Sequence, residues 1–171
     1  RGNYLLMPRN IHTCVIKACI IANLVPVLFD VEYSEDTGQY LPITKEWFEN
    51  VLNSKELNDI QVAGIVLVNP YYQGYSSDIK TLIDLSHERN IPVLVDEAHG
   101  SYFLFCEGCE LPQSAVSAKA DIVVHSLHKS LNGLTQTAIL WHSGKLIDQE
   151  YLHQSINLLQ TTSPNSLLLS S

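Results

Sequence analysis

The chain has 171 residues, of which 46% are hydrophobic, and its formal net charge is −8 at pH 7. This composition is typical of one globular domain with a sizeable apolar core, and it excludes a disordered chain. The acidic balance argues against a nucleic-acid partner, and no apolar run approaches the length of a membrane span.

The spacing of apolar residues and the turn signals predict helices that alternate with strands. In chain order the predicted segments are a helix at 10–23, a strand at 25–29, a loop at 30–41, a helix at 45–54, a strand at 62–68, a helix at 79–89, a strand at 92–95, an irregular segment at 101–117, strands at 122–124 and 137–141, and a helix at 148–159. Thr44, Asp78 and Asp148 are the predicted first residues or N-caps of their helices. The residues of the second helix predicted to face inward are Trp47, Phe48, Val51 and Leu52.

Polar residues follow the predicted strands. Alternating strands and helices predict a largely parallel sheet, and such sheets bind ligands beyond the carboxyl ends of their strands. Asn69 follows one strand, Asp96, Glu97 and His99 follow a second, and His125 and Ser126 follow a third. We therefore expect the acids and imidazoles of these strand ends to lie on a ligand-binding rim, outside the core.

Lys129 lies a few residues beyond one strand end, in a stretch that contains two histidines and two serines. A partly desolvated lysine is a nucleophile toward carbonyls, and the aldehyde of pyridoxal phosphate is a common partner. That cofactor needs a carboxylate at its pyridine nitrogen, which Asp96 can supply. We expect His12 to stack on the ring, and Ser126 and His128 to reach the phosphate.

The sequence is also compatible with other interpretations of these residues. A single strand-end aspartate is usually a turn residue, and a single lysine is usually solvated. His125 and His128 have HxxH spacing, but a strand end does not place both side chains on one face, so no metal site is predicted. Cys106 and Cys109 form a CxxC that suits zinc or redox chemistry, yet the other pair, Cys14 and Cys19, does not complete a zinc site. We interpret Cys106 and Cys109 as loop thiols.

Five motifs in a fixed order resemble the Orn/Lys/Arg decarboxylases. DEAHG combined with HSLHK at this separation is a specific signal, and together the motifs span nearly the whole chain. They are MPRNIH (Met7 to His12), NPYYQGYSSD (Asn69 to Asp78), DEAHG (Asp96 to Gly100), HSLHKSLNGLTQTA (His125 to Ala138) and QTTSP (Gln160 to Pro164).

The resemblance implies a pyridoxal-phosphate enzyme with the three-layer α/β/α fold of aspartate aminotransferase. Lys129 would form the Schiff base, Asp96 would pair with the pyridine nitrogen, and His12 would stack on the ring. Ala98 would pack under the ring, with His99 beside the cofactor or substrate. Ser126 and His128 would contact the phosphate. Thr161 or Thr162 would reach the site of a neighbouring subunit, because the family builds its sites at a dimer interface.

The resemblance also implies that these residues are the central part of the large domain. The family's phosphate-binding turn lies upstream of the segment that contains His12, and its small domain lies downstream, so we expect the isolated chain to be inactive. Where the family often has His-Lys-Ser, this chain has His12, Thr13 and Cys14. We expect a cytoplasmic protein that forms a homodimer or a multiple of dimers and has neither nucleic acid nor a membrane as a partner.

Two classes of function follow. The first is decarboxylation of lysine, ornithine or arginine, with transamination or β-elimination on the same scaffold as the alternative, since Lys129 and Asp96 are common to all three reactions. The second is a non-catalytic fragment or paralogue. Damage to the cofactor residues would indicate that second class, and the sequence shows none at Asp96, His128 or Lys129.

Overall fold

The computed structural model of the protein describes residues 2–106, 108, 110–163 and 166. Its eight strands are β1 (Tyr4–Pro8), β2 (Val25–Phe29), β3 (Tyr33–Ser34), β4 (Gln39–Tyr40), β5 (Val62–Val68), β6 (Val93–Asp96), β7 (Ile122–Ser126) and β8 (Ala138–His142). The α-helices assigned over these residues are α1 (Thr13–Ile21), α2 (Lys45–Leu52), α3 (Lys55–Asn58), α4 (Ile79–His87), α5 (Leu127–Ser130) and α6 (Gln149–Leu159), and Ser101–Phe105 form a 3₁₀ helix.

Six strands form one sheet in the order β2-β1-β5-β6-β7-β8. All neighbouring pairs are parallel except β7 and β8, which run antiparallel. Asp96 at the end of β6 is in register with Val124 of β7, and Val68 at the end of β5 is in register with Asp96. The carboxyl ends of these three strands therefore meet at one edge of the sheet.

Alternate residues of the central strands face opposite sides of the sheet, as β geometry requires. On one side, Leu67, Val95 and Val123 pack with the apolar residues of α2 and α4 in the main core. On the other side, Val66 and Leu94 lie in a smaller cluster with Met7 of β1 and Cys19 of α1. Helices thus flank both faces, which confirms the predicted α/β/α arrangement with a mostly parallel sheet.

Helix starts and the longest strand agree with the sequence prediction. Thr44, Asp78 and Asp148 each accept a hydrogen bond from a backbone N–H in the first turn of the helix that follows. Strand β5 has the predicted bounds, since its continuous apolar run is covered on both faces. The predicted irregular segment contains a 3₁₀ helix.

Three local predictions were wrong. Trp47 is 39% exposed, because its indole N–H donates to the Asp30 carbonyl at the protein surface instead of entering the core. The predicted loop at 30–41 contains the β3–β4 hairpin, in which the rings of Tyr33 and Tyr40 pack edge to face. The first helix begins at Thr13, since His12 has extended backbone and serves as its N-cap.

Within the described part of the chain, none of the helices has the length and apolar character needed to cross a membrane.

Candidate active site

A cavity of about 950 Å³ lies at the carboxyl edge of the sheet, between α1 and the ends of β5, β6 and β7. Seven of the predicted site residues line it: His12, Asp96, Ala98, His99, Ser126, His128 and Lys129. Thr161 and Thr162 do not line it; both are exposed beyond the end of α6. The cavity volume lies within the range of small-molecule sites.

The two acids at the end of β6, Asp96 and Glu97, lie in different environments. Asp96 lines the cavity, and one of its carboxylate oxygens accepts the Ala98 backbone N–H at 3.2 Å. Glu97 is fully buried and accepts hydrogen bonds from the Ser114 hydroxyl and the Ala115 N–H. The expectation that both acids lie on the rim was therefore wrong for Glu97, because successive side chains of an extended chain point to opposite sides.

The end of β7 shows the same division. Ser126 lines the cavity, whereas His125 is 1% exposed and bonds through Nε2 to Glu97 at 2.7 Å. The prediction that His125 lies on the rim was wrong for the same reason. Its partner in the HxxH spacing, His128, lies at the cavity, so the two rings are in different environments.

Lys129 is held at the cavity by the short helix α5. The Leu127 N–H donates to the Thr137 carbonyl at 3.0 Å, and the Ser130 hydroxyl donates to the Ser101 hydroxyl at 3.0 Å. His128 Nδ1 also bonds to the Thr137 carbonyl at 3.0 Å, and since a carbonyl only accepts, this nitrogen carries a proton. These contacts fix the backbone that carries Lys129 while its side chain remains exposed.

Lys129 Nζ lies 3.3 Å from His99 Nε2, within hydrogen-bonding distance. Partial burial lowers the pKa of His99, and the neighbouring Lys129 charge lowers it further. A neutral His99 can accept a hydrogen bond from the Lys129 ammonium group. The ring of Tyr72, which also lines the cavity, packs edge-on against His99 at 5.4 Å between centroids.

His12 and Cys14, at the start of α1, also line the cavity. The Cys14 N–H donates to His12 Nδ1 at 3.3 Å, which fixes the orientation of the imidazole. Partial burial raises the pKa of the Cys14 thiol, and the Asp96 carboxylate raises it further. Farther along α1, Cys19 is buried, and the exposed residues Ala18 and Ala22 also border the cavity.

The glycine of DEAHG is required by packing. A Cβ on Gly100 would lie 2.6 Å from a side-chain carbon of Pro70 and 2.8 Å from Cγ of Glu97. Only glycine allows the chain after β6 to pass this close to both residues.

The CxxC and QTTSP segments each extend beyond the described residues, since Cys109 and Pro164 lie outside them.

Sequence reasoning missed Tyr72 and Cys14 as cavity residues, and it missed Ser114 and Trp141 as partners of the buried acid and imidazole. Tyr72 lies inside the NPYYQGYSSD motif and was a detectable candidate. No local signal marks Ser114 or Trp141, since their contacts join segments that are distant in sequence.

The fold is shared by solved pyridoxal-phosphate enzymes. A PLP-bound C–S lyase from Staphylococcus hominis superposes with a TM-score of 0.67 at 16% identity, covering 98% of this chain and 42% of that one. A PLP-bound putative aminotransferase from Clostridium difficile 630 gives 0.65 at 15% identity, covering 93% and 41%. At these identities the likeness defines the fold class, that of PLP-dependent fold-type-I enzymes.

The sequence identifies the family within that class. The family pattern of the Orn/Lys/Arg decarboxylase major domain matches residues 1–171, and the chain belongs to this family. It is 35% identical over 170 residues to an arginine decarboxylase of Bacillus subtilis strain 168, and 36% identical over 170 residues to one of Bacillus cereus. The alignments cover 99% of this chain but only 34% and 36% of those relatives, so the chain spans about a third of their length.

Proposed function

We propose that the complete protein decarboxylates a basic amino acid with pyridoxal phosphate, and that arginine is its substrate. The observation that carries this proposal is that a lysine, a carboxylate and three imidazoles line one cavity. The relatives named arginine decarboxylase favour arginine over lysine and ornithine.

The residues of the cavity fit the cofactor. Lys129 is the primary amine for its aldehyde, and Asp96 the carboxylate for its ring nitrogen. Ala98 is a small, buried residue that leaves space for a flat ring, and His12 is the candidate for its opposite face. Ser126 and His128 are the candidate donors to the phosphate. When bound, pyridoxal phosphate withdraws electrons from the bond between Cα and the substrate carboxylate.

The protein's own groups would hold protons at defined atoms during this reaction. Asp96 would keep a proton on the cofactor's ring nitrogen, since a carboxylate there favours the charged ring. His99 Nε2, as the neutral acceptor, would take a hydrogen bond from Lys129 Nζ and hold that amine in the cavity. The fixed His12 ring would limit the orientations available to the ligand.

The test is a product analysis of the complete protein. The protein is incubated with pyridoxal phosphate and one of the three amino acids, arginine, lysine or ornithine, in separate reactions. Carbon dioxide and the amine product are measured in each reaction. We expect the highest kcat/KM with arginine. Release of a keto acid or of ammonia without carbon dioxide would instead favour the alternative chemistry, and no cofactor binding would favour a non-catalytic paralogue.

We infer further that a second copy of the protein completes the site. Thr161 and Thr162 lie outside their own cavity and are exposed, as residues offered to a neighbouring subunit would be. The last turn of α6 before them exposes Leu158 and Leu159 at 84% and 75%. Sedimentation of the complete protein should show a dimer or a multiple of dimers, and a monomer with full activity would exclude this inference.

A further inference from the structure

We propose that the buried pair Glu97–His125 is a positioning device, which sets the placement of Asp96 relative to Lys129 and thereby controls cofactor affinity and turnover. This inference rests on the proposed function. It assigns a role to two residues that do not line the cavity themselves.

The pair joins the two strand ends that carry the site. Glu97 directly follows Asp96, the last residue of β6. His125 directly precedes Ser126, which is the N-cap of α5, the helix that carries Lys129. The Glu97 N–H donates to the Val124 carbonyl at 3.1 Å, and the two side chains meet at 2.7 Å. Any change in the spacing of Glu97 and His125 is therefore transmitted through one peptide unit on each strand to residues that line the cavity.

Hydrogen bonding fixes the protons of the pair. The Trp141 indole N–H donates to His125 Nδ1 at 3.0 Å, and since indole is a donor only, Nδ1 carries no proton. The proton of the neutral ring is then on Nε2, directed at the Glu97 carboxylate. The Glu97 carboxylate therefore accepts a hydrogen bond from His125 Nε2. It also accepts hydrogen bonds from the Ser114 hydroxyl at 2.9 Å and the Ala115 N–H at 2.8 Å.

Three donors converge on a fully buried carboxylate, so the arrangement tolerates little displacement. A buried charge is stable only while its hydrogen bonds are made, because the interior offers no water to replace them. The network also connects β8, through Trp141, and the segment after the 3₁₀ helix, through Ser114 and Ala115. The ends of β6 and β7, strand β8 and the segment at 114–115 thus meet at the buried pair, next in sequence to Asp96 and Ser126.

The opposite edge of the sheet offers a matched control. Asp121, the residue before β7, is also a buried carboxylate, and its Oδ2 accepts the Val93 N–H and bonds to His87 Nε2, each at 2.8 Å. It ties β6 to β7 with the same chemistry but at their amino ends, away from the cavity. Loss of Asp121 should weaken the sheet without changing the placement of Asp96 or Lys129.

The experiment compares Glu97→Gln with Asp121→Asn in the complete protein. The measurements are the unfolding temperature, the Kd for pyridoxal phosphate, the visible absorption band of bound cofactor against pH, kcat and KM. We expect both variants to unfold at lower temperature. Glu97→Gln alone should raise the cofactor Kd at least tenfold, shift the pH midpoint of the band and lower kcat at least tenfold with KM within about twofold.

A milder variant keeps the inference testable if Glu97→Gln does not fold. Trp141→Phe keeps an aromatic side chain but removes the indole N–H that donates to His125 Nδ1, and it should shift the same site measurements in the same direction by a smaller factor. Equal cofactor Kd, band and kcat in the wild type and in every folded Glu97 or Trp141 variant would overturn the inference. If the wild type binds no cofactor, the proposed function fails as well, whereas normal binding by all variants rejects the positioning role alone.

Discussion

The two faces of the sheet differ in how completely they are packed. On the α2–α4 face, Leu67, Val95 and Val123 are each about 1% exposed or less and contact a continuous core. On the α1 face, Leu94 and Val124 are partly exposed and border the cavity. The same strands therefore stabilise the fold on one side and build the candidate site on the other, so substitutions on the two faces should change different properties.

Removal of the Lys129 amine should have the largest functional effect. Lys129→Ala in the complete protein is expected to abolish decarboxylation and the visible absorption band of bound cofactor, because the covalent attachment point is lost. Its free energy of unfolding without cofactor should change by about 0.5 kcal/mol or less, since the side chain is exposed. Lys145→Ala, an exposed lysine outside the cavity, is the control and should retain activity; turnover by Lys129→Ala would contradict the cofactor assignment.

Truncation on the packed face should have the largest effect on stability. Phe48 is fully buried and its ring lies 6.1 Å from that of Phe29, so Phe48→Ala should cost about 3–5 kcal/mol in denaturant unfolding.

Leu94→Ala is the comparison on the cavity face, and it should cost about 2 kcal/mol, the low end for such truncations, because Leu94 borders open space. Leu67→Ala is its matched control on the packed face, where the leucine is 1% exposed, and equal losses from the two leucine variants would show that the two faces are packed alike in the complete protein.

Neutralising Asp96 should affect the rate more than the stability. Asp96→Asn keeps the size but removes the charge at the position proposed for the ring nitrogen, and loss of such an electrostatic partner costs about two to three orders of magnitude in kcat. Asp84→Asn, an exposed carboxylate of α4, serves as the control. A near-normal rate for Asp96→Asn would leave Asp96 as a strand-end turn residue.

The smallest expected effect concerns pH. Since partial burial and Lys129 lower the pKa of His99 in the folded chain, the unfolded chain binds a proton first as the pH falls below about 6.5. The contribution of His99 to stability is therefore present above that pH and is lost toward the lower folded pKa. Unfolding measured from pH 7.5 to 5.0 should show a shallower loss for His99→Gln, and identical pH profiles would contradict the neutral state of His99.

Much of the fold could be predicted because its signals are local. A continuous apolar run specified β5 to the residue, and Thr44, Asp78 and Asp148 specified three helix starts through short-range hydrogen bonds. Seven of the nine predicted site residues, which come from the MPRNIH, DEAHG and HSLHKSLNGLTQTA motifs, line one cavity, because parallel strands place their carboxyl ends at a common edge.

The tertiary structure alone decided which member of each polar pair enters the cavity. Asp96 with Glu97 and His125 with Ser126 are adjacent in sequence, and composition does not distinguish the member that is buried. The strand pairing determines which face each side chain occupies, and Ser114, Ala115 and Trp141 supply the donors that make burial of Glu97 and His125 possible. These partners lie 16 to 18 residues away along the chain, so only the folded chain brings them to the acid and the imidazole.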